Sequence, residues 1–359
     1  MTDTNICPRA SGRLPCLDGI RAVAVGMVIL GHARLTFELP PLGVVNTIWA
    51  YLGEAGVALF FGLSGYLITH LLVREQKKNG CISLRLFYTR RILRIFPAHY
   101  AYLLAFSLLT LTGIYSIPLH DLLAAATFTI NYFGVDGHGP GWFVGHMWSV
   151  AVEQQFYLFW PPVFVALGLT RSRWFALAVV ALMPIIRTGS YFLFPEIRGG
   201  LGAIHFTSDR LMFGCLLALI DGNPYFENFM ERCKSLIWPS SLVLGALVVS
   251  PILGANFRGA YWLPFGYTAQ SFAFAFVIAW LLRNTETLPA KTLNARPLVF
   301  IGTISYSLYL WQQPFMTPLN STVAGRFPVN IICAGLAACA SYYLVERKFL
   351  SLRAHARVV

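Results

Sequence analysis

Ten stretches of this 359-residue chain are each long and apolar enough to cross a lipid bilayer. They fall at about 19–37, 54–73, 95–112, 147–168, 174–194, 201–220, 236–254, 262–282, 298–318 and 328–346. A further piece, "PLGVVNTIWAYLG" (41–53), reads as a short interfacial segment, and Pro184 with Arg187 marks the 174–194 run as kinked or partly outside the bilayer. Charged residues make up only 12% of the chain, about half the share of a soluble protein of this length. The fold class expected is therefore an all-α polytopic membrane protein of about ten transmembrane helices. No internal repeat or linker divides it. Residues 1–18 form a cytoplasmic N-terminal segment, 19–350 one transmembrane domain, and 351–359 a cytoplasmic tail.

Orientation follows from the distribution of Lys and Arg. With the N-terminus in the cytoplasm, the inside segments hold 20 of these residues and the outside segments five. An even number of spans returns the C-terminus to the cytoplasm. The net charge of +12 is thereby explained as membrane topology, and no nucleic-acid partner is expected. The seven cysteines show no metal-ligand spacing, so reduced thiols and no metal site are expected. No A-x-A-like cleavage site follows the first apolar run, which is read as a retained span.

Several polar residues sit where an unpaired charge is expensive. Arg21 and His32 are eleven residues apart in the first span, which places them on one helix face about 16 Å apart along the axis. Arg21 alone reads equally well as an interfacial anchor, but a mid-span His in register with it points to function. Arg90, Arg91 and Arg94 crowd one turn at the mouth of the third span, where guanidiniums serve either as anchors or as a phosphate site. Glu153 lies one and a half turns into the fourth run and needs a partner or a proton. Ser64 with Gly65 reads first as helix packing. Asp209 with Arg210 and Glu346 with Arg347 read as boundary pairs. From Thr112 to Met147 there is no Lys or Arg, and "GHGPGWFVGH" suggests a folded turn. A buried His able to act as a base, with an Arg cluster able to hold phosphates, suits a long anionic donor such as acyl-coenzyme A.

The motifs in order resemble those of the membrane acyltransferase-3 family, multispanning enzymes that O-acylate carbohydrates and other acceptors. "LDGIRAVAVGMVILGH" is similar to the family's Arg-x10-His signature, with Arg21 and His32 in place. "GVALFFGLSGYLIT", "FYTRRILRIFPAHY", "GHMWSVAVEQQFYLFWP", "GTISYSLYLWQQP" and "SYYLVERKF" resemble five further segments, from residue 17 to about 350. Three positions depart: Gln312 where His is common, Lys348 where Pro is common, and Thr207 where Arg commonly precedes the Asp209 position by two. No second catalytic histidine is therefore assigned to the ninth span. No extra C-terminal domain of the kind some members carry is expected, and acceptor delivery is expected to use the membrane core.

The resemblance implies an O-acetyltransferase that moves an acyl group, most often acetyl, from acetyl-CoA to a hydroxyl of an envelope glycan of the lipopolysaccharide or exopolysaccharide type, in the bacterial cytoplasmic (inner) membrane. The roles expected are His32 and Glu153 as catalytic residues, with Glu153 orienting His32. Arg21, Arg90, Arg91 and Arg94 would bind the coenzyme A phosphates, so that Arg21 and His32 mark one donor track. Ser64, Trp148 and Asp209 are the substrate-binding candidates, with Trp148 and the 113–146 loop forming the acceptor surface. A proton-coupled transporter of an acyl or sugar compound is the alternative, because intramembrane His and Glu also build proton relays.

Overall fold

The computed structural model describes residues 14, 16–36, 42–133, 141–194 and 203–355. Among the described residues there is no strand. Fourteen helices are used below. α1 is Leu17–Ala33, α2 Val44–Asn79, α3 Leu84–Leu111, α4 Leu119–Ala126, α5 Trp142–Gly145, α6 Met147–Leu193 and α7 Ile204–Ile220. α8 is Pro224–Arg232, α9 Ile237–Phe257, α10 Gly259–Arg283, α11 Leu288–Leu293, α12 Arg296–Thr303, α13 Ser305–Trp311 and α14 Val329–Leu352. Six helical segments are long and apolar enough to cross a membrane: α2, α3, the stretch from α5 through α6, α9, α10 and α14.

Two features differ from the sequence reading, each for a physical reason, and a third agrees with it. The 41–53 piece is not a separate interfacial segment. From Val44 it is continuous with the next run as the 36-residue α2, because no proline or glycine cap interrupts it until Gly80 at φ 73°. α6 spans two predicted runs in 47 residues, yet Gly168 leaves the helical region at φ 69° and ψ 178° and divides it. A continuous helix of that length would extend about 70 Å, more than twice the hydrocarbon thickness. The ninth run breaks at Ile304 between α12 and α13 and stops at Trp311, three residues before Pro314.

α2 is the central helix, packed antiparallel to α1 and parallel to α7. Small residues make this possible: a Cβ on Gly65 would fall 2.0 Å from the Leu211 carbonyl oxygen, and one on Gly214 would fall 2.0 Å from that of Gly62. Backbones this close gain van der Waals contact that lipid cannot offer, which is how helices associate in a bilayer.

Arg187 is the second fastening of this core. The sequence suggested a kinked or peripheral segment here, but Arg187 is 1% exposed inside the bundle. It forks onto Asp209 at 3.2 Å through both terminal nitrogens, and also donates to the Leu263 and Phe206 carbonyls and the Thr268 hydroxyl. Every lone pair and donor that burial would otherwise strand is used, which is the condition for a buried ion pair to be tolerated.

The chain reversals near residues 80, 168–172, 221–236 and 284–295 gather at one end of the bundle, together with most of the Lys and Arg; this is called the basic end below. α8 is latched there. Asn223 caps it, Pro224 occupies its first turn, and Glu227 receives both Nε and Nη2 of Arg283, at 3.0 and 2.6 Å.

Candidate active site

Two cavities lie in the bundle, and they meet at Val57 and Tyr309, which line both. The first, toward the basic end, has a volume of about 80 Å³ and is lined by Arg21, Arg91, Arg94, Glu153, Ser64 and Tyr157 among others. The second has about 550 Å³ and is lined by His32, Trp142, Trp148, Glu54, Arg210 and His146 among others. The first is called the arginine cavity and the second the histidine cavity.

The arginine cavity is built by α1, α2, α3, α6 and α13. Arg91 and Arg94 turn one side of α3 into it, and the Arg91 guanidinium lies 5.4 Å from the centre of the Tyr157 ring, within cation–π range. Glu153 accepts the Ser64 hydroxyl, and Tyr157 donates its hydroxyl to the same Ser64 oxygen at 3.2 Å. Gly65 does the helix packing while its neighbour Ser64 faces the carboxylate, so the Ser-Gly pair divides the two tasks between adjacent residues. Arg21 is held at 3.5 Å from Asp18, one helical turn earlier. Three guanidiniums around one carboxylate leave this cavity strongly electropositive.

The histidine cavity is organised by a chain of amides. His32 Nδ1 lies 2.9 Å from Gln312 Oε1; the Gln312 Nε2 donates to Gln313 Oε1 at 3.1 Å, and the Gln313 Nε2 to the Trp142 carbonyl at 2.9 Å. Since each amide nitrogen is committed as a donor, Gln312 Oε1 is left to accept, and His32 Nδ1 must carry the proton. The Nε2 lone pair is then available for a substrate. Trp142 packs its ring edge to face with His32 at 5.6 Å, and Trp148 meets Phe61 at 6.1 Å in the same manner.

The partition between the cavities is held on both sides. The Tyr309 hydroxyl is 2.6 Å from the Ser149 hydroxyl and donates to the His146 carbonyl at 2.7 Å. α13, which carries Tyr309, is the second half of the broken ninth run. Irregular backbone at membrane depth is tolerated where it lines a cavity, and this break does so.

Several site expectations are redistributed. Arg21 and His32 lie on one helix as predicted, but in different cavities. Glu153 faces Ser64 and the guanidiniums; the partner of His32 is Gln312, one of the positions that departs from the family pattern. Arg90 pairs with Glu75 at 3.7 Å and does not line the arginine cavity, because the cavity faces the flank of α3 that carries Arg91 and Arg94. Asp209 lines neither cavity: it is taken up by Arg187 and accepts from Thr268 at 2.6 Å. Its neighbour Arg210 reaches the histidine cavity instead, paired with Glu54 at 2.9 Å and stacked 4.3 Å from the centre of the Tyr267 ring. Glu346 is likewise no boundary partner of Arg347; it is 2% exposed and accepts the Ser307 hydroxyl. Ser64 and Trp148 do line the cavities, as do Ile130, Asn131 and Phe133 of the 113–146 loop. Residues 134–140 of that loop, with Asp136 and His138, lie outside the described residues.

Glu54, Arg210, Tyr309 and Gln312 were the residues least visible in sequence. Two buried glutamines following "YLW" were the available signal, since an apolar run has no use for them unless something inside is bonded.

An acyltransferase-domain model of the acyltransferase-3 family matches residues 14–347. The O-acetyltransferase OatA of Staphylococcus aureus (strain NCTC 8325 / PS 47) is 31% identical over 360 residues, covering 93% of this chain and 56% of that protein. OatA of Staphylococcus aureus (strain MRSA252) gives the same identity and coverage. The chain thus spans little more than half the length of these curated relatives. No solved structure matches it. A family match over almost the whole chain, on a helical bundle that places the Arg-x10-His pair against two neighbouring cavities, establishes that this chain belongs to the acyltransferase-3 family.

Proposed function

We propose that this chain is an integral membrane O-acyltransferase that moves an acetyl group from acetyl-CoA to a hydroxyl of an envelope glycan, in the bacterial cytoplasmic (inner) membrane. The observation that carries this reading is the pair of neighbouring cavities that share Val57 and Tyr309, one lined by guanidiniums and the other by a histidine with a directed lone pair. The Lys and Arg bias supports a basic end in the cytoplasm, with both termini there. The ten spans are then α1, α2, α3, the two halves of α6, α7, α9, α10, α12 with α13, and α14.

The donor arrives from the basic end. A cavity of about 80 Å³ takes the thioester end of the arm, not the nucleotide, so the phosphates rest at its mouth against Arg91, Arg94 and Arg21. The acceptor occupies the wider histidine cavity, its sugar rings against Trp142 and Trp148. His32 Nε2 takes the proton of the acceptor hydroxyl as its oxygen attacks the thioester carbonyl carbon. The carbon–sulfur bond breaks, and the coenzyme A thiolate recovers a proton as the thiol. The same lone pair would serve if His32 first carries the acyl group itself. Gln312 fixes the imidazole for either route.

The test is release of coenzyme A thiol from acetyl-CoA by purified protein in lipid, with and without an envelope-glycan extract. Release that needs both the extract and His32 is expected. Transport of acceptor across vesicles without any acyl-CoA would favour the transporter instead.

A further inference from the structure

Reading the histidine cavity as the acceptor site, we infer that the acceptor carries an anionic group, a carboxylate or a phosphate, beside the hydroxyl that is acylated. The argument rests on charge and on unspent hydrogen-bond donors. Among the described residues two guanidiniums line this cavity, Arg34 and Arg210, against a single carboxylate, Glu54. Asp209, next in sequence to Arg210, offers no compensation because Arg187 and Thr268 hold both of its oxygens. Glu54 engages only one nitrogen of Arg210. The Nε and Nη1 of Arg210 find no acceptor among the described residues, although the side chain is 3% exposed. Native structures rarely leave buried donors without a partner, and a guanidinium presents them in the fork that a carboxylate or phosphate fills.

The position of the second guanidinium gives the geometry its meaning. Arg34 lies two residues beyond His32, just past the end of α1; it is exposed, lines the cavity and forms no ion pair among the described residues. An anionic group held between Arg34 and Arg210 is therefore placed beside the imidazole that activates the hydroxyl. A volume of about 550 Å³, with Trp142 and Trp148 as apolar walls, fits one or two sugar rings. A neutral glycan would gain the walls and leave the excess charge unmatched. An acidic glycan gains both.

Binding measurements on the full chain in lipid nanodiscs test this without any acyl donor. The probes are an N-acetylglucosamine–glucuronic acid disaccharide, its neutral methyl ester, and N-acetylglucosamine 1-phosphate. Wild-type protein is expected to bind at least one anionic probe about tenfold tighter than the ester; which anion wins identifies the source of the charge. Arg34→Gln and Arg210→Gln should each close that gap, while Glu54→Gln, which keeps a bond to Arg210 and removes its carboxylate charge, should widen it at least threefold. Glu54→Gln and Arg34→Gln guard against misfolding caused by stranding Glu54. Equal binding of acid and ester by the wild type, binding of neither, or a preference that survives both arginine substitutions would overturn the inference. His32→Ala should retain the preference while abolishing coenzyme A release, so that failure of the transfer reaction and failure of anion selection are separable.

Discussion

Under the proposed reaction, Gln312 makes a histidine in an apolar helix a directed base. Its carbonyl oxygen is fixed as an acceptor by two onward amide bonds, so His32 is held in one tautomer with Nε2 free. Replacing Gln312 by Leu should therefore lower turnover by about 10- to 100-fold, the usual cost of losing a partner that orients a functional imidazole. His32→Ala should cost at least about 10²- to 10⁴-fold, the range of general-base catalysis. Steady-state rates of coenzyme A release check both, and equal rates for wild type and Gln312→Leu would remove the orienting role. The sequence made His32 conspicuous but not its partner, because a hydrogen bond across 280 residues leaves no local pattern. Glu153 was conspicuous for the right reason, an acid inside lipid, and its partner proved to be Ser64 beside three guanidiniums.

Among the elements, α2 carries the most structural demand, because α1 and α7 approach it at backbone distance. Gly65→Leu would drive a side chain into the Leu211 carbonyl, and strain of this kind costs about 1–3 kcal/mol or more. A lowered thermal midpoint in detergent, together with loss of function, is the expected result. Arg187→Leu should be worse, by about 3–5 kcal/mol, since it leaves Asp209 charged and unpaired in the core. At the basic end the latch between α8 and α10 is pH-sensitive. The fork from Arg283 holds the Glu227 carboxyl below its ordinary value, so its stabilisation is full above about 4.3 and is lost as pH falls through the depressed folded value. Glu227→Gln should lower stability on the neutral side while leaving the acid side unchanged, so that the acid limb of the stability curve flattens. The sequence displayed the helical runs well because twenty apolar residues have one use in this setting. It ended one run at 168, where Gly168 divides α6, but it did not show that 41–53 joins the next run or that the ninth run divides at Ile304. Those depend on caps and on cavities, which hydropathy does not register.

At the scale of the whole molecule, the arrangement is a bundle with one electropositive recess facing the basic end and one histidine-bearing recess beyond it. The topology drawn from charge predicts that a cysteine introduced at His120 reacts with a membrane-impermeant reagent from outside the cell and one at Asn79 does not. The opposite pattern would invert the assignment of donor and acceptor faces. Motif order along the chain made the family legible. The division of Arg21 and His32 between two recesses was not, because it is created by Val57 and Tyr309 arriving from other helices. That division has an electrical consequence. Two polar recesses that meet inside a bilayer form a near-complete path for protons and ions, and the cell's membrane potential would fall across the thin layer between them. A tyrosine held by Ser149 and the His146 carbonyl, backed by a valine, stands in that layer and would limit such a leak until the thioester is drawn past it. Removing the ring in Tyr309→Ala should let proteoliposomes dissipate an imposed pH gradient faster than wild type, so the residue that seals the enzyme would be recognised first by what leaks through its absence.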